Sequence, residues 1–140
     1  MEHIEVSVDT SERQIVDLTE LARWFCTDTV AREGLLNVFA PHSTVGLALV
    51  HVGDGSGADL LAALDRLLPR DLDYAHRERS PGHGADHLVP ALLSPSLVIP
   101  VVAGAPALGE FQRLVVVDLD RDATMRTVRM TLLIEERGDA

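Results

Sequence analysis

The sequence has 140 residues, 46% of them apolar and 24% charged, the balance of a chain that buries a core rather than a disordered one. Its formal net charge of −10 speaks against nucleic acid or an anionic membrane as the main partner, since both demand basic patches. Every basic residue is arginine, so Schiff-base chemistry, pyridoxal phosphate attachment and a P-loop lysine are excluded. An anionic substrate must then be held by arginine, histidine, backbone N–H groups or a bound cation.

No apolar run approaches the roughly 20 residues that span a bilayer. The start, Met1-Glu2-His3-Ile4-Glu5, lacks the basic flank and apolar stretch of a secretion signal. A single cysteine, Cys26, makes no intrachain disulfide, so nothing asks for an oxidising compartment. The expectation is a cytoplasmic protein with one domain over residues 1–140.

Ile4, Val6 and Val8 alternate with Glu5, Ser7 and Asp9, the pattern of a half-buried strand. A second strand is expected through Gln14-Ile15-Val16-Asp17. Thr19 is placed to cap a helix carrying Leu21, Trp24 and Phe25, with Cys26 as a small core residue and Gly34 ending the helix. Strands Leu35–Ala40 and Thr44–His51, broken at Pro41, are apolar at nearly every position, so at least one is expected to be buried on both faces. Gly53-Asp54-Gly55-Ser56-Gly57 leads to a helix with Leu60, Leu61, Leu64, Leu67 and Leu68 on one face and Pro69 beyond it. That loop is either a simple turn or a phosphate cradle at a helix N-terminus. Residues 71–86 are irregular and rich in charge and histidine. A short helix is expected at His87–Leu93, then strands near Leu97–Val101, Phe111–Leu119 and Thr124–Glu135, with a loop at Ala103–Gly109. In the last strand Val128, Met130, Leu132 and Ile134 share a core face, and Arg126 has the same parity. A buried arginine there needs either an aspartate at the sheet end or an anionic ligand.

The chemistry-bearing residues are mostly histidines. His42 lies where one strand ends and the next begins, at the rim of a sheet. Tyr74-Ala75-His76 and His83-Gly84-Ala85-Asp86-His87 fall in the irregular segment. If helical, His83 and His87 at i, i+4 share a face at chelating distance, although Gly82 and Gly84 argue against a helix start there. Neutral imidazole is the commonest metal ligand, and three ligands with an open position suit a catalytic zinc. Isolated surface or core histidines are the alternative. Ser43 beside His42 suggests a nucleophile and base, but adjacent strand residues point apart. Arg77-Glu78-Arg79 reads as a solvated charge run or, so close to His76, an anion clamp.

Several segments together resemble a known family. Gly34-Leu35-Leu36-Asn37-Val38-Phe39-Ala40-Pro41-His42-Ser43-Thr44 is similar to its Gly-…-His-Thr-Thr segment, Tyr74-Ala75-His76 to its Tyr-x-His, and Ala85-Asp86-His87-Leu88 to its Ala-Ala-His-Leu. The stretch from Ser94 through Pro100, Gly104, Leu108-Gly109 and Phe111-Gln112 resembles its long Ser-…-Pro-…-Gly-…-Leu-Gly-x-Trp-Gln signature. This is the YjbQ-like family, labelled secondary thiamine-phosphate synthase, and the match runs in order along nearly the whole chain.

The resemblance implies an α+β fold, with antiparallel β-sheets packed as a sandwich with two to three helices, assembled as a homotrimer. It implies that His42, His76 and His87 hold a divalent metal, expected to be zinc. The implied activity is weak thiamine-phosphate synthesis, joining a pyrimidine diphosphate to a thiazole phosphate with release of pyrophosphate. Three departures stand out. The family Asn-Glu after His-Thr-Thr is Val50-His51 here, so a carboxylate is missing and His51 is the candidate base or ligand. His83 stands in place of a frequent Asn as a further ligand or catalytic group, and Phe111 replaces the tryptophan. Arg126, together with Arg77, is the candidate to hold phosphate on a phosphorylated small-molecule substrate. The alternatives are a homotrimer that binds a metal or metabolite without turnover, favoured by the missing carboxylate, and a structural oligomer with satisfied histidines.

Overall fold

The computed structural model describes residues 1–28 and 33–134. Period-two patterning produces β1 (Glu2–Asp9), with Ile4, Val6 and Val8 turned to the core, and β2 (Ile15–Asp17) follows. Helix α1 (Thr19–Asp28) sends Ala22, Phe25 and Cys26 inward. Burial pushes the Cys26 thiol up to about 11, so it stays protonated at neutral pH. Trp24 faces outward instead, 55% exposed. Thr19 does not cap the helix as expected. Asp17 accepts its N–H at 2.8 Å, while the Thr19 hydroxyl accepts the Leu114 N–H at 2.9 Å. The carboxylate two residues upstream already serves the helix entry, which frees the hydroxyl for a strand donor.

Gly34 does not end α1 either; it lies inside β3 (Glu33–Phe39). A Cβ there would sit 2.2 Å from the Leu133 carbonyl oxygen, so the glycine allows close approach between strands. β4 (Val45–Val50) is the strand buried on both faces, whereas β3 alternates. After α2 (Ser56–Leu67) come two one-turn helices, α3 (His83–Asp86) and α4 (Val89–Leu92), where a single helix from His87 was expected. The chain then forms β5 (Ser96–Val102), a two-residue β6 (Ala105–Pro106) inside the expected loop, β7 (Arg113–Asp118) and β8 (Met125–Ile134). Glu135, expected to end the last strand, lies outside the described residues.

The strands make two wholly antiparallel sheets, ordered β1-β8-β3-β5-β6 and β2-β7-β4. Leu36 pairs with Leu132 and Ile99, and Val38 with Met130, presenting one apolar face. Against it packs the face of the second sheet carrying Val45, Leu47, Leu114 and Val116. The reverse face of that sheet, through Ala48, Val115 and Val117, is covered by Leu64 and Leu60 of α2. The result is an α+β sandwich in which α2 covers the reverse face of the smaller sheet and α1 packs into the core between the sheets. Among the described residues no helix is long and apolar enough to cross a membrane.

Two features of this frame matter later. Val45 pairs with Asp118 and Val8 with Arg126, so the start of β4, the end of β7 and the start of β8 gather at one end of the sandwich. The outer face of the larger sheet leaves Leu35, Phe39, Val98, Val102 and Leu133 between 40% and 58% exposed.

Replacing Gly34 by alanine should force β3 away from the Leu133 backbone and lower stability by about 2 kcal/mol. Urea unfolding checks this, and an unchanged midpoint would contradict the close strand contact.

Candidate functional site

The gathered strand ends carry a buried ion-pair network. Arg126, 5% exposed, donates from Nε to Asp118 Oδ2 at 2.7 Å and from Nη2 to Asp118 Oδ1 at 3.1 Å. The same Nη2 reaches Asp120 Oδ2 at 3.2 Å and the Thr44 hydroxyl at 3.0 Å. Thr10 adds its hydroxyl to Asp118 Oδ2 at 2.6 Å. Burial alone would raise the Asp120 carboxyl, but the Asp122 N–H, the Thr44 hydroxyl, His83 and Arg126 together hold it below its ordinary value. Burial also works against the Arg126 charge, and Asp118 and Asp120 outweigh it. Of the two partners open to Arg126 in the sequence, the aspartate is the one observed.

The histidines sit against this network. Gly82 takes a left-handed turn (φ 86°) into α3, and His87 keeps helical angles just past its end. His83 and His87 therefore lie one turn apart on one face, their Nε2 atoms 3.0 Å from each other. Gly84 lets the Tyr74–His76 segment lie flat on α3, since a Cβ there would meet the His76 carbonyl oxygen at 2.6 Å. The glycines that argued against a helix are what allow this packing. The His76 ring consequently stands 4.8 Å from that of His87 and 5.6 Å from that of His83, centre to centre. One ligand nitrogen from each lies within 4.8 Å of the others.

His83 is buried, and its Nδ1 has no hydrogen-bond partner, yet it faces Asp122, Asp120 and Asp86 oxygens at 3.3, 3.4 and 3.7 Å. Arg70 grips both oxygens of Asp86, and Ser80 binds Asp122 through its hydroxyl and, at 3.2 Å, its N–H. Burial, and then the neighbouring His83 and His76, hold His87 below the ordinary imidazole value, which keeps it neutral and able to donate its lone pair.

These groups line a cavity of about 430 Å³ shared by His42, Ser43, Thr44, His76, Glu78, Arg79, His83, His87, Asp120, Asp122 and Arg126. His42 lies on its wall but outside the three-imidazole cluster. Its Nε2 accepts the Thr127 N–H at 2.9 Å, and burial, then Arg126, lowers its pKa. His51 does not line the cavity. It follows β4 at the end away from His42, packs edge-on against Phe111 and stands 4.0 Å from Asp54. Arg77 pairs with Asp73 at 2.8 Å and lines a neighbouring cavity. The glycine-rich loop closes as a turn, with the Ser56 N–H on the Gly53 carbonyl at 2.9 Å. The acidic residues were missed in the sequence, though Asp118-Leu119-Asp120-Arg121-Asp122 at a strand end is a visible alternation.

The residues fit a divalent cation. Three imidazoles converge, and the 3.0 Å between two Nε2 atoms is near the roughly 3.3 Å separating two nitrogens on one tetrahedral zinc. The orphaned His83 Nδ1 lies 3.3 Å from Asp122 and 3.4 Å from Asp120 without a hydrogen bond to either, and carboxylates behind a ring are what orient a ligating histidine. With imidazoles neutral, Asp86, Asp118, Asp120 and Asp122 exceed Arg70 and Arg126 by two negative charges, which a divalent cation would offset.

Fold and site together define a sandwich protein with a histidine-lined, acid-backed cavity. The family model described as UPF0047 protein YjbQ-like matches residues 3–135, and the chain belongs to that family. A UPF0047 protein of Mycobacterium bovis is 50% identical over 128 residues, covering 91% of this chain and 98% of its own. A UPF0047 protein of Archaeoglobus fulgidus is 32% identical over 126 residues, covering 89% and 97%. Among solved structures, a hypothetical protein of Aeropyrum pernix superposes with TM-score 0.87 at 28% identity, covering 96% of this chain and 100% of its own. A YjbQ/UPF0047 protein of Clostridium acetobutylicum gives 0.84 at 28%, covering 93% and 99%. The expected family and sandwich architecture are both found.

Arg126→Met should destabilise the fold by about 3–5 kcal/mol, because Asp118 and Asp120 are left buried without their cation. The deficit should shrink as the pH is lowered, since a protonated carboxyl needs no counter-charge. Urea unfolding of variant and parent across pH measures it; a variant as stable as its parent at pH 7 would show that the network is dispensable.

Proposed function

We propose that the chain is a metal-assisted enzyme acting on a phosphorylated small molecule, a secondary thiamine-phosphate synthase in which zinc is held by His76, His83 and His87. The observation that carries this reading is the convergence of three imidazoles on one cavity of about 430 Å³, a volume that suits a small phosphorylated ligand. The geometry favours His83 over His42 as the third ligand, because the His42 Nε2 is taken by the Thr127 N–H. When bound, the cation would stabilise negative charge developing on a leaving phosphate oxygen.

In the reaction, a pyrimidine diphosphate joins a thiazole phosphate. The thiazole nitrogen forms a bond to the pyrimidine's exocyclic methylene carbon as that carbon's bond to the diphosphate oxygen breaks, and the leaving oxygen keeps the electron pair. The residues of the chain orient and shield this step. Asp120 and Asp122 stand at 3.4 and 3.3 Å from His83 Nδ1, which would leave Nε2 for the ligand side. His42, held by the Thr127 N–H, keeps its ring against the cavity.

A second reading has the support of a specific feature. Asp120 and Asp122 are committed to internal hydrogen bonds and His51 stands away from the cavity, so neither these acids nor the residue in place of the family carboxylate is set aside as a base, and Glu78 is the other carboxylate on the wall. That favours a protein that binds a metal or metabolite without turnover. In either case we propose a homotrimer, because Leu35, Phe39, Val98, Val102 and Leu133 leave exposed apolar side chains on the outer face of the larger sheet, beside the Arg129–Glu5 ion pair. Nothing in this reading calls for nucleic acid or membrane.

Purified protein should carry one zinc per chain, and His83→Ala and His87→Ala should each lower that content by at least tenfold. Since His87 stays neutral below the ordinary imidazole value of 6.5, the metal should be retained at pH 7 and lost only well below it. Formation of thiamine phosphate from the two precursors, abolished by His87→Ala, marks an enzyme. Stoichiometric metal without product marks a binder, and metal-free protein indifferent to His87→Ala would remove the site altogether. Light scattering should give three chains per particle, and Val98→Asp should shift it to one; a monomeric parent would refute the assembly.

A further inference from the structure

Arg79 is the arginine on the cavity wall whose charge no carboxylate takes up among the described residues. Arg126 shares that wall, but Asp118 and Asp120 neutralise it and Thr44 takes part of its hydrogen-bonding capacity. Arg77 is two residues away and turned elsewhere, with Nη2 on Asp73 and Nε donating to the Tyr74 carbonyl at 3.1 Å. Only Arg79 pairs an accessible guanidinium with a position beside His76, His83 and His87.

The backbone is arranged to put it there. Arg79 has φ 66°, a left-handed conformation that residues with a side chain rarely adopt. The next residue is clamped: Ser80 gives its hydroxyl and N–H to Asp122, and its carbonyl accepts the His83 N–H at 3.1 Å. Glycine would relax such a turn, so an arginine held in it keeps its side chain's placement at the expense of local strain.

We propose that Arg79 is the anion-recognising residue of the cavity, receiving the phosphate or diphosphate of a ligand whose other end reaches the histidine cluster. The planar fork of guanidinium N–H donors matches two phosphate oxygens at once. Glu78 lines the same wall and opposes an anion. The acid excess beneath the histidines opposes it as well, so a divalent cation on the imidazoles strengthens anion binding and the two ligands bind cooperatively. This inference rests on the phosphorylated-ligand reading above.

The test is calorimetric titration of inorganic pyrophosphate into the intact protein, zinc-loaded and chelator-treated, with metal content and Tm measured on the same samples. Arg79→Gly should weaken pyrophosphate binding at least tenfold, keep the metal, and leave Tm unchanged or raised, because the left-handed turn is relieved. Arg79→Lys should fall between, losing the fork but keeping the charge. Arg77→Ala should bind as the parent does. Wild-type affinity in Arg79→Gly, or an equal loss in Arg77→Ala, overturns the assignment. Parent protein that holds zinc yet binds no pyrophosphate overturns it while the metal reading stands. Protein without metal that still binds pyrophosphate through Arg79 upholds the assignment and sinks the metal reading.

Discussion

A guanidinium buried at the end of a β-sandwich must be met by carboxylates that other strands bring to it, and the pairing of Arg126 with Asp118 and Asp120 imposes that condition here. Arg126 belongs to β8, Asp118 ends β7, and Thr44 precedes β4, so one side chain ties three strand ends. The constraint passes outward through backbone groups. The Asp120 N–H is held by Asp118 at 3.0 Å, the Asp122 N–H by Asp120 at 2.9 Å, and Asp122 then holds Ser80. By that route the irregular segment carrying His76 and Arg79 is anchored to the sandwich, although it has little regular structure of its own.

The fold was legible wherever burial follows a period. Ile4, Val6 and Val8 in β1, the inward set of β8 and Leu60 and Leu64 of α2 fall where their spacing puts them, whereas Leu67, expected on the same face, is 66% exposed. What escaped depends on through-space demand. Thr19 has a capping residue's chemistry, but a strand N–H at Leu114 needed an acceptor and the hydroxyl answered it. Gly34 looks like a helix terminator in one dimension and is a point of strand contact in three. The site was half legible. Spacing placed His83 and His87 on one face, and motif resemblance supplied His42 and His76, all on one cavity. Which three converge could not be read, because that depends on Gly84 admitting the Tyr74–His76 segment and on Thr127 claiming His42. His51 was chosen for its sequence position relative to a missing carboxylate, and the length of β4 carries it away from His42.

The two nitrogens of His83 face different surroundings. Nδ1 faces the carboxylates of Asp86, Asp120 and Asp122, and Nε2 faces His87. An imidazole so placed is a relay for charge: carboxylates behind it make the ring a better donor in front. The cost of burying those acids is met by Arg70 and Arg126 on the far side, where neither arginine is released toward a ligand.

That division bears on how an acidic chain without lysine would hold the anion proposed for it. The acids beneath the histidines would repel phosphate if they acted alone, and they are too well hydrogen-bonded to be neutralised by protonation at pH 7, as the depressed Asp120 and Asp122 carboxyls indicate. On the proposed reading, a divalent cation in the imidazole cluster would offset the two-charge acid excess, and the Arg79 guanidinium would supply both charge and direction for an anion. Charge from such an ion and geometry from Arg79 would be separate contributions, since His83 and Ser80 both stand against the same chain of aspartates. The strained turn at residue 79 is tolerable because its neighbour is bound to the last of them.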